Sequence, residues 1–150
     1  NILLERAVSM LQPLCDEKEL TVRLHLCPEL PNVSIDVDRI NQVVYNILNN
    51  AIRYINRGDT IAVTTERAVK EGKEYVLVSI ADTGNGISPE DLPHIFQYFY
   101  RGEKSRSRKS GGSGIGLALA KQFVVSHGGL LDVESEVGKG TTFYIYLPLG

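Results

Sequence analysis

At 150 residues, with 43% hydrophobic and 23% charged side chains, the chain has the size and composition of one globular domain able to bury a core without cross-links. Its formal net charge of -2 gives no global attraction to nucleic acid or a membrane surface, and no apolar run approaches the roughly 18 residues that span a bilayer. Cys15 and Cys27 lack CxxC spacing and sit among apolar residues, so they read as small buried hydrophobes of a reducing compartment.

The chain opens at Asn1, inside an apolar-periodic segment and without a signal peptide, as expected for a piece of a longer protein. Leu3, Leu4, Ala7, Met10, Leu11 and Leu14 recur at helical spacing, and Pro13 should end or kink that helix. Residues 21–26 alternate as a strand, with Val22, Leu24 and Leu26 on one face and Arg23 and His25 on the other. Asp38 is placed to cap a second helix running to about Asn56, with Ile40, Val43, Val44, Ile47, Leu48, Ala51 and Ile52 as its apolar stripe. Residues 60–66 and 75–81 are β-rich and flank the polar turn Lys70-Glu71-Gly72-Lys73, which predicts a hairpin. Ser88-Pro89-Glu90-Asp91 carries the start signals of a short helix. Residues 102–112 show no periodicity, 115–126 read as a helix, and 130–134 and 142–147 as the last two strands. The order predicts a layered α/β (α+β) domain, a two-layer sandwich with a mostly antiparallel sheet.

Three constellations carry chemistry. Asn46, Asn50 and Arg53 share one face of the second helix, with Tyr54 a turn beyond Asn50. Asparagine disfavours helix interiors. Either Asn46, Asn49 and Asn50 are simply exposed or bonded to a neighbouring loop, or their amide oxygens serve a hard cation such as Mg²⁺, with an arginine one turn away for phosphate. Asp82-Thr83-Gly84-Asn85-Gly86-Ile87 follows a strand. It is either an ordinary Asx-turn or a carboxylate that accepts a hydrogen bond from an exocyclic amine such as adenine's, with glycines giving a flat ligand room. Gly111-Gly112-Ser113-Gly114-Ile115-Gly116 precedes a helix, as a flexible linker or as an anion site of free amides at a helix start. Its spacing is not a dinucleotide fingerprint, and no Walker-type phosphate loop is present. Between the last two clusters, five of the nine side chains in residues 101–109 are basic, which suits a phosphate-covering loop.

Together and in this order, these segments resemble the catalytic, ATP-binding domain of bacterial sensor histidine kinases, within the wider superfamily that includes Hsp90, gyrase B and MutL. Residues 38–51 resemble the N box, residues 82–87 the first glycine box, residues 95–101 the F box, residues 112–117 the second glycine box and residues 138–143 the closing Gly-x-Gly-Thr segment. The resemblance implies a Bergerat-type sandwich: about five strands on three main helices, with a flexible ATP lid. It implies Mg²⁺ on Asn50, support for metal and phosphates from Asn46, phosphate contact from Arg53, and stacking of Tyr54 near adenine or ribose. Asp82 would bond the adenine amine, with Gly84 and Gly86 giving room and Ile87 beside them. Tyr100 and Arg101 would approach the nucleotide, Arg101 at its γ-phosphate end. Ser113, Gly114 and Gly116 would hold phosphates, with Ile115 and Leu117 in the same nucleotide-binding run, and Thr142 would lie near the base. Asn46, Asn50 and Arg101 are the implied catalytic set, and ATP and Mg²⁺ the implied cofactors. Arg53 stands where lysine is commoner, and Ile55 where a hydroxyl is usual.

The family also needs an acceptor histidine followed by an acid and then a hydrophobic residue. His25, His94 and His127 all lack that context. The dimerisation and phosphoacceptor domain is therefore expected upstream of Asn1, as a partner of this domain. A response regulator would be the second partner and nucleic acid none. The piece itself would be a monomer on the cytoplasmic side of a membrane-anchored homodimer. Two other readings compete: an ATP-driven conformational machine, weakened because Asn46 occupies the place of its general-base glutamate, and an anti-sigma-type serine kinase. Phe96, Phe99 and Tyr100 either dock on dimerisation helices or fill the base of the lid.

Overall fold

The computed structural model describes residues 2–28, 30, 33, 35–96 and 116–149, without the side chains of Ile2, Arg53 and Tyr54. The described elements are α1 (Ile2–Glu17), β1 (Thr21–His25), α2 (Val37–Tyr54), β2 (Thr60–Lys70), β3 (Lys73–Asp82), a 3-10 turn (Leu92–His94), α3 (Gly116–Ser126), β4 (Leu130–Glu136) and β5 (Gly140–Pro148). The strands form one sheet in the order β1-β2-β3-β5-β4, parallel between β1 and β2 and antiparallel elsewhere. Helices on a mixed, mostly antiparallel sheet make the expected two-layer sandwich.

The core follows from two periodicities. Along α2 the stripe Ile40, Val43, Val44, Ile47, Leu48, Ala51 and Ile52 is at most 6% exposed. Burying each aliphatic side chain contributes about 1.5–3 kcal/mol, against about 0.5 kcal/mol lost at each interior asparagine of the same helix. In the sheet, Ile61, Val63, Val76, Val78, Ile80, Phe143, Ile145 and Leu147 alternate onto the helix side and join that core. The outer face carries Tyr75 and Leu77, still buried, with Tyr146 edge-on to Tyr75. Lys70 crosses that face, its ammonium over the Tyr146 ring at 4.8 Å and 3.1 Å from the Asp132 carboxylate.

Several expectations are corrected. α1 does not stop at Pro13: it runs to Glu17, and Pro13 is on its exposed side, where water can reach the carbonyl left without an amide partner. Burial of Leu4, Ala7, Val8, Leu11 and Cys15 on the opposite side holds the helix through the proline. Just past its end Glu19 takes φ 56°, with the Leu20 amide bonded to the Cys15 carbonyl and Leu20 buried behind it. α2 starts two residues earlier than Asp38 suggests. Asp36 is its cap, its carboxylate accepting from the Arg39 amide, and the helix ends at Tyr54. Residues 88–91 form a turn in which the Ser88 carbonyl accepts from the amides of Asp91 and Leu92, and only then comes the short 3-10 turn. β1 ends at His25, and Leu24 is 39% exposed while Val22 and Leu26 reach the core. β2 is four residues longer than expected, because β3 pairs with it as far as the turn, where Glu71 and Gly72 both take positive φ. Cys15 is buried, Cys27 only partly so, and the two form no disulfide; burial pushes the Cys15 thiol up, with the Asp16 charge adding to it.

Candidate functional site

The glycine-containing turn after β3 is built by anchoring it on three sides. At its start the Thr83 amide donates to the Thr60 carbonyl, and the Thr60 amide donates to the Thr83 hydroxyl. Towards α2, Asn56 Nδ2 donates to Asn85 Oδ1 at 2.9 Å. On the third side, the turn between β4 and β5 supplies the Gly138 amide to the Asn85 carbonyl, while the Ile87 amide donates to Ser135 Oγ at 2.6 Å. Gly86 has φ 78°, and a Cβ there would strike the Glu136 carbonyl oxygen, so backbone meets backbone with no room for a side chain.

Asp82 stands at the head of this turn. Its Oδ1 accepts from the Gly84 amide at 2.9 Å, and the Thr141 amide also points at the carboxylate. Burial pushes the carboxyl above its usual range; these two amides pull it back, and the Asp59 charge raises it again. A partly buried acceptor held by two amides keeps one orientation, as recognition of an amine donor requires.

Asn46 and Asn50 lie on the same face of α2 but in different states. Asn46 is engaged at both ends of its amide: Nδ2 donates to the Gly116 carbonyl at 3.0 Å, and Oδ1 accepts from Gln42 Nε2 at 2.7 Å. It joins α2 to the first residue of α3. Asn50 is half-buried, and its side chain makes no hydrogen bond to another described residue. Among the described residues no group of three or more His, Cys, Asp or Glu side chains can hold a metal. A single amide oxygen suits Mg²⁺, which keeps several waters and is completed by phosphates; the donor set fits that ion.

The structure thus brings Asp82, Gly84, Gly86 and Ile87 together in one turn, and Asn46 together with Gly116. Leu117 packs against the core. Arg53 and Tyr54 belong to α2, with their side chains outside the description. Tyr100, Arg101, Ser113, Gly114 and Ile115 lie outside the described residues, as do Phe99 and the basic segment 101–109. Phe96 packs edge-on against Phe143, with centroids 6.3 Å apart, and under the Lys121 ammonium, so this member of the F box fills the core side. Thr142 pairs with Ala81 and faces the outside of the sheet, whereas Thr141 pairs with Asp82 and is buried on its side.

Three contributors escape a reading of the sequence. Ser135 Oγ accepts from the Ile87 amide, donates to the Gly140 carbonyl and meets Thr141 Oγ1 at 2.8 Å. Thr141 differs from Thr142 only by strand parity. Gly140, with φ 121°, passes directly beneath the Asp82 carbonyl. For Gly140 and Thr141 the available signal was the Gly-Lys-Gly-Thr segment, which does not reveal what it packs against; Ser135, inside β4, carries no such signal.

Comparison with known proteins agrees with this geometry. Residues 35–150 match the family described as histidine kinase-, DNA gyrase B-, and HSP90-like ATPase. Sensor protein SrrB of Staphylococcus aureus (strain NCTC 8325 / PS 47) is 45% identical over 115 residues, covering 77% of this chain and 19% of SrrB. The chain therefore spans about a fifth of the length of such curated relatives. Among solved structures, mycobacterial sensor histidine kinase MprB superposes with a TM-score of 0.80 at 28% identity, over 97% of this chain and 93% of that one. Full-length ShkA, solved in complex with AMPPNP, gives 0.81 at 27% identity over 97% of this chain and 29% of its own. The catalytic domain of histidine kinase ThkA shares the fold, with a TM-score of 0.82 at 24% identity over 99% of this chain and 91% of that one. A carboxylate-headed glycine turn facing an asparagine-bearing helix, on this sheet order and with this kinship, has one reading: the chain belongs to the histidine kinase-, DNA gyrase B- and HSP90-like ATPase family.

Proposed function

We propose that this chain binds ATP with Mg²⁺ and is the catalytic domain of a sensor histidine kinase, passing the γ-phosphoryl group to a histidine on a separate helical dimerisation domain. The observation that carries the reading is the contrast on α2: Asn46 is committed to the Gly116 carbonyl, while the Asn50 side chain, one turn on, makes no hydrogen bond to another described residue. Asp82 orients the base by accepting from its amine, and Gly84 lets the ring lie close, while Gly86 lets the turn seat against the Glu136 backbone. The resemblance adds Arg53, Tyr54, Tyr100, Arg101 and Ile115 around the nucleotide, and Ser113 and Gly114 at its phosphates. When bound, Mg²⁺ supplies charge neutralisation at the phosphates.

The acceptor belongs to another domain. His127 uses both ring nitrogens, and His25 lies on an edge strand. A response regulator then takes the phosphoryl group onward, and the whole protein is a membrane-anchored homodimer with this domain on the cytoplasmic side. Among the described residues no helix is long and apolar enough to cross a membrane.

Calorimetric titration with a non-hydrolysable ATP analogue tests the binding step. Mg²⁺ should tighten binding in the wild type and have no effect in Asn50→Ala. No binding at millimolar nucleotide would refute the reading. Mixing with a separately prepared dimerisation domain should yield acid-labile phosphate, which separates phosphohistidine from phosphoserine.

A further inference from the structure

His127 follows the last turn of α3, and both of its ring nitrogens are used. Nδ1 lies 2.7 Å from the Phe123 carbonyl oxygen, which can only accept, so Nδ1 carries the hydrogen. Nε2 is then the bare nitrogen, and it accepts from the Asp36 amide at 2.9 Å, across 91 residues of sequence. Asp36 is the cap of α2. The neutral imidazole therefore joins the end of α3 to the start of α2. The Asn46–Gly116 bond joins the start of α3 to the middle of α2. The two helices that carry the phosphate-end groups are pinned at two separated points, and one pin is a histidine in a single tautomer.

We infer that His127 is a positioning residue: in its neutral form it holds α3 against α2, and protonation releases that pin and weakens nucleotide binding. A proton on Nε2 turns the acceptor into a donor facing another donor, so the bond cannot survive it. Among the described residues the charged groups beside the imidazole come from the start of α2: the carboxylate of its cap Asp36, and the Arg39 guanidinium, which pairs with Asp36 at 3.4 Å and lies 5.3 Å from the Phe123 ring centroid. Asp38 follows in the first turn of α2. The last turn of α3 has no charged residue, and the first charge on β4, Asp132, is paired with Lys70. The effect on nucleotide rests on the ATP-binding reading above; the pin itself does not.

The test compares wild type, His127→Gln and His127→Ala. A glutamine amide oxygen can reach the Asp36 amide much as Nε2 does, without titrating. Affinity for a non-hydrolysable ATP analogue is measured with Mg²⁺ between about pH 8 and about pH 5.5. Asp82 and the nucleotide's own phosphates titrate alike in all three proteins, so differences between them isolate His127. Wild type should lose about five- to tenfold more affinity than His127→Gln on acidification, and His127→Ala should be weak at both ends. Equal pH profiles in wild type and His127→Gln would overturn the proposal. Hydrogen exchange at the Asp36 amide reads the pin without nucleotide: its protection factor should fall with acid in wild type and hold in His127→Gln. Unchanged protection in wild type would also overturn it. Protection that falls as expected in a protein that binds no nucleotide would keep the pin and reject the ATP reading.

Discussion

The backbones of Gly140 and Asp82 lie so close that no methyl group fits between them: a Cβ on Gly140 would penetrate the Asp82 carbonyl oxygen. Gly140 also holds φ 121°, which side-chain-bearing residues rarely adopt. Gly140→Ala should therefore cost about 3 kcal/mol, combining strain with overpacking. Gly138 has φ 84° but open space around it, so Gly138→Ala should cost only about 1 kcal/mol. Urea denaturation of both variants checks the difference.

Asp82→Asn should separate stability from binding. The native carboxyl titrates above its usual 3.8, mainly because of burial, so folding favours the protonated form. The stability this group contributes is full below pH 3.8 and is lost as pH rises through the native value. Asparagine removes that loss, so at neutral pH the variant should unfold at higher urea than wild type. Its nucleotide affinity should fall about a hundredfold or more, because an amide NH₂ now faces the base's amine. Unfolding at several pH values and one titration give both readings.

Asn46 and Asn50 should answer alanine in opposite ways. Asn50→Ala removes a poor helix former whose side chain bonds no described residue, so stability should rise by about 0.5 kcal/mol while the Mg²⁺-dependence of binding disappears. Asn46→Ala leaves the partly buried Gly116 carbonyl without its donor and should cost about 1 kcal/mol. Thermal unfolding distinguishes the two.

Ser135→Ala should act on a turn it does not belong to. Its hydroxyl meets Ile87, Gly140 and Thr141, and losing it strands several partners at about 1–3 kcal/mol. Amide exchange should accelerate at Ile87 and Asn85 before it does in the core strands.

Whatever depends on periodicity was legible in the sequence. The α2 stripe, the β2–β3 hairpin and the order of the layers follow from apolar spacing and turn chemistry. The capping of α2 was not: Asp36 and Asp38 are both good caps, and the stripe begins only at Ile40, so it cannot say where the backbone enters the helix. Pro13 misled for a similar reason, since a local penalty is outweighed by the buried side of the same helix. Thr141 and Thr142 could not be told apart because a one-residue change in register exchanges the two faces of a strand. Within the site, Asp82 and the asparagines announce themselves by residue type. Ser135 and His127 work by reaching segments far away in sequence, which no spacing rule records.

The pins on α2 give that helix a metric role. Asn46 is tied to α3 and Asn56, just past the helix end, to the turn headed by Asp82. At about 1.5 Å per residue, the helical stretch from Asn46 to Tyr54 sets a gauge of about 12 Å between the two attachments. A substitution inside it alters one contact, but an added or deleted residue would turn Asn46 by about 100° relative to Asn56 and shift the gauge by a full residue rise. Point changes on the solvent side of α2 should therefore be freely accepted in this family, and changes in its length between these two asparagines hardly at all.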